Sequence, residues 1–291
     1  MSVNIDGVLV QWGDRLFYPA NRRTAARTPS LSGLALHQRA QVLRHRIRAT
    51  VVRGAPQVMV KVTGGGRGMG AIAAHLRYIA KGGRLPMEDD RGVVREGKEA
   101  LRGIVDQWRF GGSRIPEVSE RREAFNIMLS MPAGTKPEVV RIAARQFAKA
   151  ELANHRYVMV LHTHQANPHV HLAVRAEGRD GKRLNPRKQD LWRWREMFAE
   201  RLRELGIEAG ASSRIARGSR HCNERLWQRK AYDEGSGRNR GGNAEAKLTP
   251  ARRNEAQAWC EIAKALASSE DVADRELGQS VVYYARWLPG V

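Results

Sequence analysis

The sequence predicts an α+β fold in which helices flank a mainly antiparallel central sheet. In residues 58–62 valine occupies every second position and alternates with Met59 and Lys61. Residues 71–83 repeat apolar side chains at helical spacing. Two further strand-like stretches, 156–162 and 168–175, are separated only by a short polar loop. Alternation with a period of two indicates a strand, whereas a spacing of three and four indicates a helix. Because adjacent strands joined by a short loop pair as an antiparallel hairpin, these stretches predict a sheet with antiparallel neighbours.

The remaining elements follow the same patterns. Residues 124–132 read as a strand, and 137–153 as a helix that begins after a proline-containing turn. Another helix is predicted at 189–206 after a basic turn. The polar stretch 83–120 contains the acidic run Glu88–Asp90, so we expect an excursion outside the core there.

Composition divides the chain into three parts. Residues 1–55 carry nine arginines against two aspartates and predict a basic, poorly packed leader that ends in a short helix. Residues 56–212 contain the predicted sheet and form the central domain. Residues 213–291 predict a basic, partly helical C-terminal extension.

The charge is the strongest bulk property. A net charge of +21 and a pI near 11.0 imply a polyanionic partner. Nucleic acid fits better than a membrane surface, because no basic amphipathic helix or lipidation motif is present. A merely soluble basic protein stays open at this point.

The protein is expected to be cytoplasmic, with no membrane insertion. The first residues lack a basic start followed by an apolar stretch, so no secretory signal is predicted. The longest apolar runs are too short to span a bilayer. The two cysteines, Cys222 and Cys260, form no CxxC pair and no disulfide framework.

Four of the nine histidines lie within ten positions, in the segment LHTHQANPHVHLAV. His169 and His171 project from one face of their strand, since residues two apart point to the same side. The hairpin brings His162 beside them, and His164 points the same way from the loop edge. Three neutral imidazoles with open positions left over are typical of a catalytic metal site. The alternative is a set of surface histidines on a solvent-facing hairpin.

The segment HTHQANPHVHL resembles the third motif of the histidine-hydrophobic-histidine endonucleases, specifically the conjugative relaxases of the MobA/VirD type. The family pattern reads roughly H-x-D-x-x-(H/N)-P-H-x-H, and His164 stands where the family usually has aspartate. The resemblance covers residues 56–220 and implies a relaxase catalytic domain with that endonuclease fold. It also implies a divalent ion held by His162, His169 and His171. Mg or Mn is common for activity on DNA phosphates, while Zn, Ni and Co also suit imidazoles.

The segment HLRYIAKGG resembles the family's first motif, which carries the nucleophile. The resemblance implies that Tyr78 attacks DNA and that His75, one helical turn earlier, touches the phenol or the phosphate. His164 would replace the family's aspartate as general base or join the metal ligands. For Tyr78 the alternative is an aromatic side chain that packs its helix on the sheet.

Candidate DNA contacts come from three segments. MLSMPAGT resembles the family's second motif and gives Ser130 and Thr135, although Thr135 is also placed to cap the following helix. The other candidates are basic residues suited to phosphate contacts. They are Arg179, Lys182, Arg183, Arg187 and Lys188 in one turn, and Arg214 and Arg217 in a later segment.

The resemblance implies a metal-dependent, strand-specific nuclease that nicks single-stranded DNA at an origin of transfer through a 5′-phosphotyrosine. It implies accessory DNA-binding proteins and a type IV secretion coupling protein as partners in a bacterial cell. Three alternatives remain. Rolling-circle replication initiators and transposases of the same superfamily usually place the tyrosine after the histidine pair. A histidine-triad hydrolase needs a histidine where Ala173 stands. A non-enzymatic basic DNA-binding module is the third.

Overall fold

The computed structural model describes residues 4–17, 33–52, 55–212 and 250–286. The chain divides into two compact units, one formed by residues 55–211 and one by residues 1–54 together with 212–291. Among the described residues no helix is both long and apolar enough to cross a membrane.

A six-stranded antiparallel sheet organises the first unit, and the predicted α+β class is confirmed. The strand order is β1-β4-β6-β5-β2-β3, and every neighbouring pair is antiparallel. The strands are β1 Met59–Gly64, β2 Met87–Asp89, β3 Val94–Arg95, β4 Ala124–Ser130, β5 His155–His162 and β6 His169–Gly178. Four helices accompany them: α3 Met69–Ile79, α4 Lys98–Phe110, α5 Pro137–Glu151 and α6 Lys188–Glu204.

One face of the sheet is apolar and packs against α5 and α6. Alternate strand residues such as Ile127, Met159 and Leu172 point to this face and are buried with Phe147 and Trp194 from the helices. The Trp194 indole also donates a hydrogen bond to Glu151 at 3.1 Å. This packing fixes the strand register, because a slip of one residue would turn the apolar set toward solvent.

The opposite face is covered in part by α3 and α4. Ile72 and Leu76 of α3 pack with Trp108 of α4 on Val160 and Ala173 of the sheet. The expected excursion at 83–120 is therefore wrong. This stretch supplies α4 to the core and β2 to the sheet.

The acidic run in this stretch is buried by pairing, which its polarity alone did not indicate. Glu88 is 4% exposed and forms a two-point ion pair with the Arg145 guanidinium. Asp89 accepts from Arg95 at 3.0 Å. A carboxylate can be buried when charged hydrogen-bond partners replace its water.

The second unit is helical in the part that the structure describes. Its helices are α1 Ile5–Phe17, α2 Gly33–Val51, α7 Pro250–Ala267 and α8 Val272–Ala285. They share an apolar core that includes Leu9, Leu43, Trp259 and Val281. The prediction of a poorly packed leader is therefore wrong for residues 5–17 and 33–51, which form packed helices. Their apolar faces are buried against helices from the other end of the chain, a pairing that local sequence does not encode.

Candidate active site

The strand register brings the predicted histidines together. His169 pairs with His162 on β5 and with Ser130 on β4, and His171 follows two residues along β6 on the same face. The ring centroids of His162 and His171 lie 4.6 Å apart, and each lies 5.1 Å from that of His169. One nitrogen from each ring lies within 4.8 Å of the others. The three side chains can thus share one ion.

Backbone carbonyls fix the tautomers of two of these rings. The Nδ1 of His169 donates to the Asn167 carbonyl at 2.9 Å, which leaves Nε2 as the lone-pair nitrogen. The Nε2 of His162 donates to the Ile79 carbonyl at 2.6 Å, which leaves Nδ1. A second ring nitrogen bound to a backbone carbonyl is how proteins orient metal-binding imidazoles.

The third ring, that of His171, has a buried Nδ1 without a hydrogen-bond partner among the described residues. Burial, followed by the neighbouring histidines, lowers the pKa of His171 to about 3. Burial also lowers the pKa of His162. These rings are therefore neutral at physiological pH, and neutral imidazole is the form that binds a metal. The orphaned nitrogen, the fixed tautomers and the all-imidazole donor set fit a divalent transition metal.

Tyr78 lies in the last turn of α3 with 72% of its side chain exposed. Its ring stacks with that of His75, with the two ring centroids 6.5 Å apart. The ring centroid of His75 lies in turn 6.4 Å from that of His171. The Nε2 of His75 is buried without a partner among the described residues, and burial lowers its pKa. A line of rings thus runs from the phenol through His75 to the three histidines.

Another tyrosine of this unit, Tyr157, is unsuitable as a nucleophile. It is 3% exposed and lies on the apolar face of the sheet. Burial raises its pKa to about 12. The exposed phenol of Tyr78, beside the histidines, is better placed for attack on a large substrate.

His164 is exposed and lies beside two of the three clustered histidines. Its ring centroid is 5.0 Å from that of His162 and 6.1 Å from that of His169. Desolvation lowers its pKa, with a smaller effect of the positive charge of Lys81. His164 therefore belongs to the immediate surroundings of the three histidines.

Ser130 lies at the histidine end of the sheet, whereas Thr135 lies in the turn before α5. Ser130 is 4% exposed, and its hydroxyl lies 3.3 Å from the carbonyl oxygens of Met131 and Pro168. Thr135 donates to the Pro132 carbonyl at 3.0 Å. The N-cap of α5 is Lys136, so Thr135 does not occupy the cap position that its sequence context allowed.

The basic turn after β6 lies at the other end of the strand. Gly178 follows His169 by nine positions, which corresponds to about 30 Å of extended strand. The structure therefore does not bring Arg179, Lys182 and Arg183 to the histidines. Arg187 is the N-cap residue of α6, and Lys188 begins that helix.

Several of these side chains already have acidic partners. Arg179 pairs with Asp90, and Lys182 lies 3.6 Å from Asp180. Arg183 lies 3.2 Å from Glu123. Arg214 and Arg217 lie outside the described residues.

An exposed strip of the sheet on the histidine face was not predicted as part of the site. Met59, Lys61 and Thr63 of β1 are exposed, and Asn126 and Met128 of β4 are half-buried. Met128 pairs with His171 on one side and with Lys61 on the other. We call these five residues the β1–β4 shelf. The alternation in residues 58–62 contained this signal, since it placed Met59 and Lys61 opposite the core-facing valines.

Comparison with known families agrees with this geometry. Residues 88–207 match the family model described as "Relaxase: MobA/VirD2-like, nuclease domain". The resemblance to the relaxases is confirmed. The matched segment includes the three clustered histidines and begins ten residues after Tyr78.

Other comparisons add less. No curated protein matches the chain significantly. A solved structure described as "Molecular Basis of Vancomycin Resistance Transfer in Staphylococcus aureus" is 14% identical to the chain. The match covers 55% of this chain and 99% of that one, with a TM-score of 0.32. At that score nothing is transferred from one structure to the other.

Proposed function

We propose that this protein nicks and transfers single-stranded DNA in a metal-dependent, strand-specific reaction through a 5′-phosphotyrosine at Tyr78. The observation that carries the proposal is the line of rings in which an exposed phenol, His75 and three converging histidines follow one another. The relaxase match of residues 88–207 supports the nuclease class.

His162, His169 and His171 would hold the divalent ion. The chemistry that such an ion would supply is polarisation of the scissile phosphate. Mg or Mn suits a phosphate substrate, while the imidazole set also accepts Zn, Ni or Co. His164 lies against two of these rings, so we assign it to the metal and phosphate side of the site rather than to the phenol.

The chemical step exchanges one phosphodiester for another. The Tyr78 oxygen forms a bond to phosphorus while the bond between phosphorus and the 3′ oxygen breaks. The phenol proton passes to His75, whose unpaired Nε2 is neutral because burial lowers the pKa of the ring. The departing 3′ oxygen takes up a proton from solvent water and becomes a 3′ hydroxyl. The reverse exchange rejoins the strand.

We propose that the DNA strand reaches Tyr78 along the β1–β4 shelf. The shelf is continuous with His171 through Met128, and it offers a lysine, a threonine and an asparagine for phosphate and sugar contacts. Met59, which is 40% exposed, offers an apolar surface for a base. The chain's net charge of +21 favours this polyanionic substrate.

The wider role would be mobilisation of a plasmid or integrative element from the bacterial cytoplasm. Single-stranded DNA at an origin of transfer would be the substrate. Accessory DNA-binding proteins and a type IV secretion coupling protein would be the partners. This role depends on the relaxase class and on the nicking activity proposed above.

The proposal is tested by the capture of a covalent adduct. The protein is incubated with Mn²⁺ and a random-sequence single-stranded DNA pool that carries a label at its 3′ end. A 5′-phosphotyrosine retains the fragment downstream of the nick, so labelled protein is expected on a denaturing gel. Tyr78→Phe removes only the hydroxyl and is expected to abolish the label. Tight DNA binding without any adduct in the unaltered protein would favour a non-enzymatic binding module instead.

A further inference from the structure

Two tryptophans of α6 differ in how they are packed. Trp194 is 1% exposed, and its ring packs edge-on against Phe147 in the core. Trp192 is only half-buried. In the part of the chain that the structure describes, Trp192 does not belong to the apolar core, although the neighbouring Leu191 packs against it. A large aromatic side chain usually stabilises a protein by burial in its core, and the Trp192 ring does not serve that purpose.

Arg195 fixes the place of Trp192 at the edge of the sheet. The Arg195 guanidinium lies over the Trp192 ring, 5.7 Å from its centroid, and donates to the Val60 carbonyl at 3.4 Å. Two residues earlier, the Val58 amide donates outward to the Gly210 carbonyl at 2.9 Å. Because backbone groups along a strand alternate in direction with a period of two, the Val60 carbonyl also faces outward. Trp192 and Arg195 therefore lie along the outer edge of β1.

This part of the edge is level with the proposed metal site. Met59 lies in the register row of His169, and Lys61 lies in the row of His171. The Val60 carbonyl lies between these two rows. One strand, β4, separates β1 from β6, and neighbouring strands are about 4.8 Å apart, so the backbone of β1 lies about 10 Å from that of β6. The indole thus flanks the part of the β1–β4 shelf that is nearest to the histidines.

We propose that Trp192 stacks on an unpaired base of the DNA strand, at the point where the strand leaves the β1–β4 shelf across the edge of β1. This inference rests on the proposed path of the strand along the shelf, and it adds a base contact to the phosphate and sugar contacts of that path. Stacking on an aromatic ring accepts every base, because each has a π face. The bases of a duplex are already stacked on one another, so this contact favours single-stranded DNA. Arg195 holds the ring at the edge.

The test uses two probes that differ only in their bases. One is a short oligothymidylate, and the other is an abasic deoxyribose-phosphate oligonucleotide of the same length. Binding is measured by fluorescence anisotropy in a Tyr78→Phe background, which lacks the hydroxyl needed for an adduct. Trp192→Leu removes the ring but keeps an apolar side chain. It should bind the oligothymidylate about tenfold more weakly and the abasic probe within about twofold of the parent, because only a stacked base is lost. Trp192→Phe should recover most of the affinity.

Three controls separate stacking from other effects. Phe110→Leu removes a ring that is 64% exposed at the end of α4, and it should leave the binding of both probes unchanged. Lys61→Ala removes a charge rather than a ring, so it should weaken the binding of both probes by a similar factor. The thermal midpoint of Trp192→Leu should stay within about 3 °C of the parent, because the ring lies outside the core.

Each outcome decides a separate claim. Equal weakening of both probes by Trp192→Leu would show that the indole shapes the surface without stacking, and unchanged binding of both would show that it makes no contact; either result overturns the inference. A Trp192→Leu protein that melts far below the parent would assign the indole a structural role and overturn it as well. If the unaltered protein forms no adduct while Trp192→Leu loses affinity for the oligothymidylate alone, the proposed nicking fails and the base contact stands.

Discussion

The two ends of β6 differ in how their polar side chains are satisfied. At one end His171 leaves a buried nitrogen without a partner in the part of the chain that the structure describes, and the nearby His75 does the same. At the other end Arg175 is 4% exposed, yet its guanidinium donates to the carbonyls of Trp108, Gly111 and Ser113. Burial lowers the pKa of both Arg175 and His171.

The difference shows which polar cluster is built for a ligand. Buried polar groups in native proteins almost always have hydrogen-bond partners, so an orphaned one marks a place where a ligand completes the set. The basic turn beyond Arg175 pairs several of its charges with carboxylates, and its one buried nitrogen without a hydrogen bond among the described residues, on Arg183, lies 3.7 Å from the Glu177 carboxylate. The open nitrogens of His75 and His171 instead lie on rings beside the other converging histidines. The number of basic residues in the sequence therefore did not indicate which end of β6 is built to bind a ligand.

The largest expected effect comes from removing the metal ligands. A His169→Ala/His171→Ala protein should fold, lose calorimetrically measured Mn²⁺ binding, and form adduct at least ~10³-fold more slowly, because the phosphate is no longer polarised. Full activity in this folded variant would contradict the assignment of the histidines. Arg179→Ala, at the opposite end of β6, is the matched control and should keep both properties.

The second prediction concerns the opposite end of the strand. Arg175→Met should lower the free energy of unfolding of the unit formed by residues 55–211 by about 3 kcal/mol, because several buried carbonyls lose their donor. Urea denaturation measures this loss. Adduct formation by the folded fraction should change little. A loss below about 0.5 kcal/mol would mean that the guanidinium does not hold the segment after α4.

The third prediction is the pH dependence of the metal-free protein. The pKa of His171 is about 3 when folded, against an ordinary value of 6.5. The unfolded chain therefore binds more protons between these values, and stability should fall as the pH drops from about 6.5 toward 3. His171→Gln should show a shallower fall in thermal midpoint across that window. Equal pH profiles for the two proteins would show that His171 is not held neutral by the fold.

The smallest expected effect separates two exposed lysines. Lys61→Ala, on the β1–β4 shelf, should weaken the binding of a short single-stranded oligonucleotide about three- to tenfold and reduce its salt slope by about one. Lys182→Ala, in the basic turn, should leave binding of the same oligonucleotide within about twofold. The reverse ranking in a fluorescence-anisotropy titration would move the DNA path to the other end of the sheet.

The histidine end was predictable because its determinants are local. The alternation around His169 and His171 sets their common face, and a short loop forces His162 back beside them. The buried Glu88 was not predictable in the same way, because its partner Arg145 lies 57 residues away. The helical unit shows the same limit, since Arg44 of α2 pairs with Asp274 of α8 across 230 residues.

The most direct measurement is the chemical identity of the residue that carries the DNA. After adduct formation and nuclease digestion, trypsin should release His75 in the peptide 68–77 and Tyr78 in the separate peptide 78–81. The account predicts that mass spectrometry finds the nucleotide on the peptide 78–81. A nucleotide on the peptide 68–77, or on any other tyrosine, would contradict it.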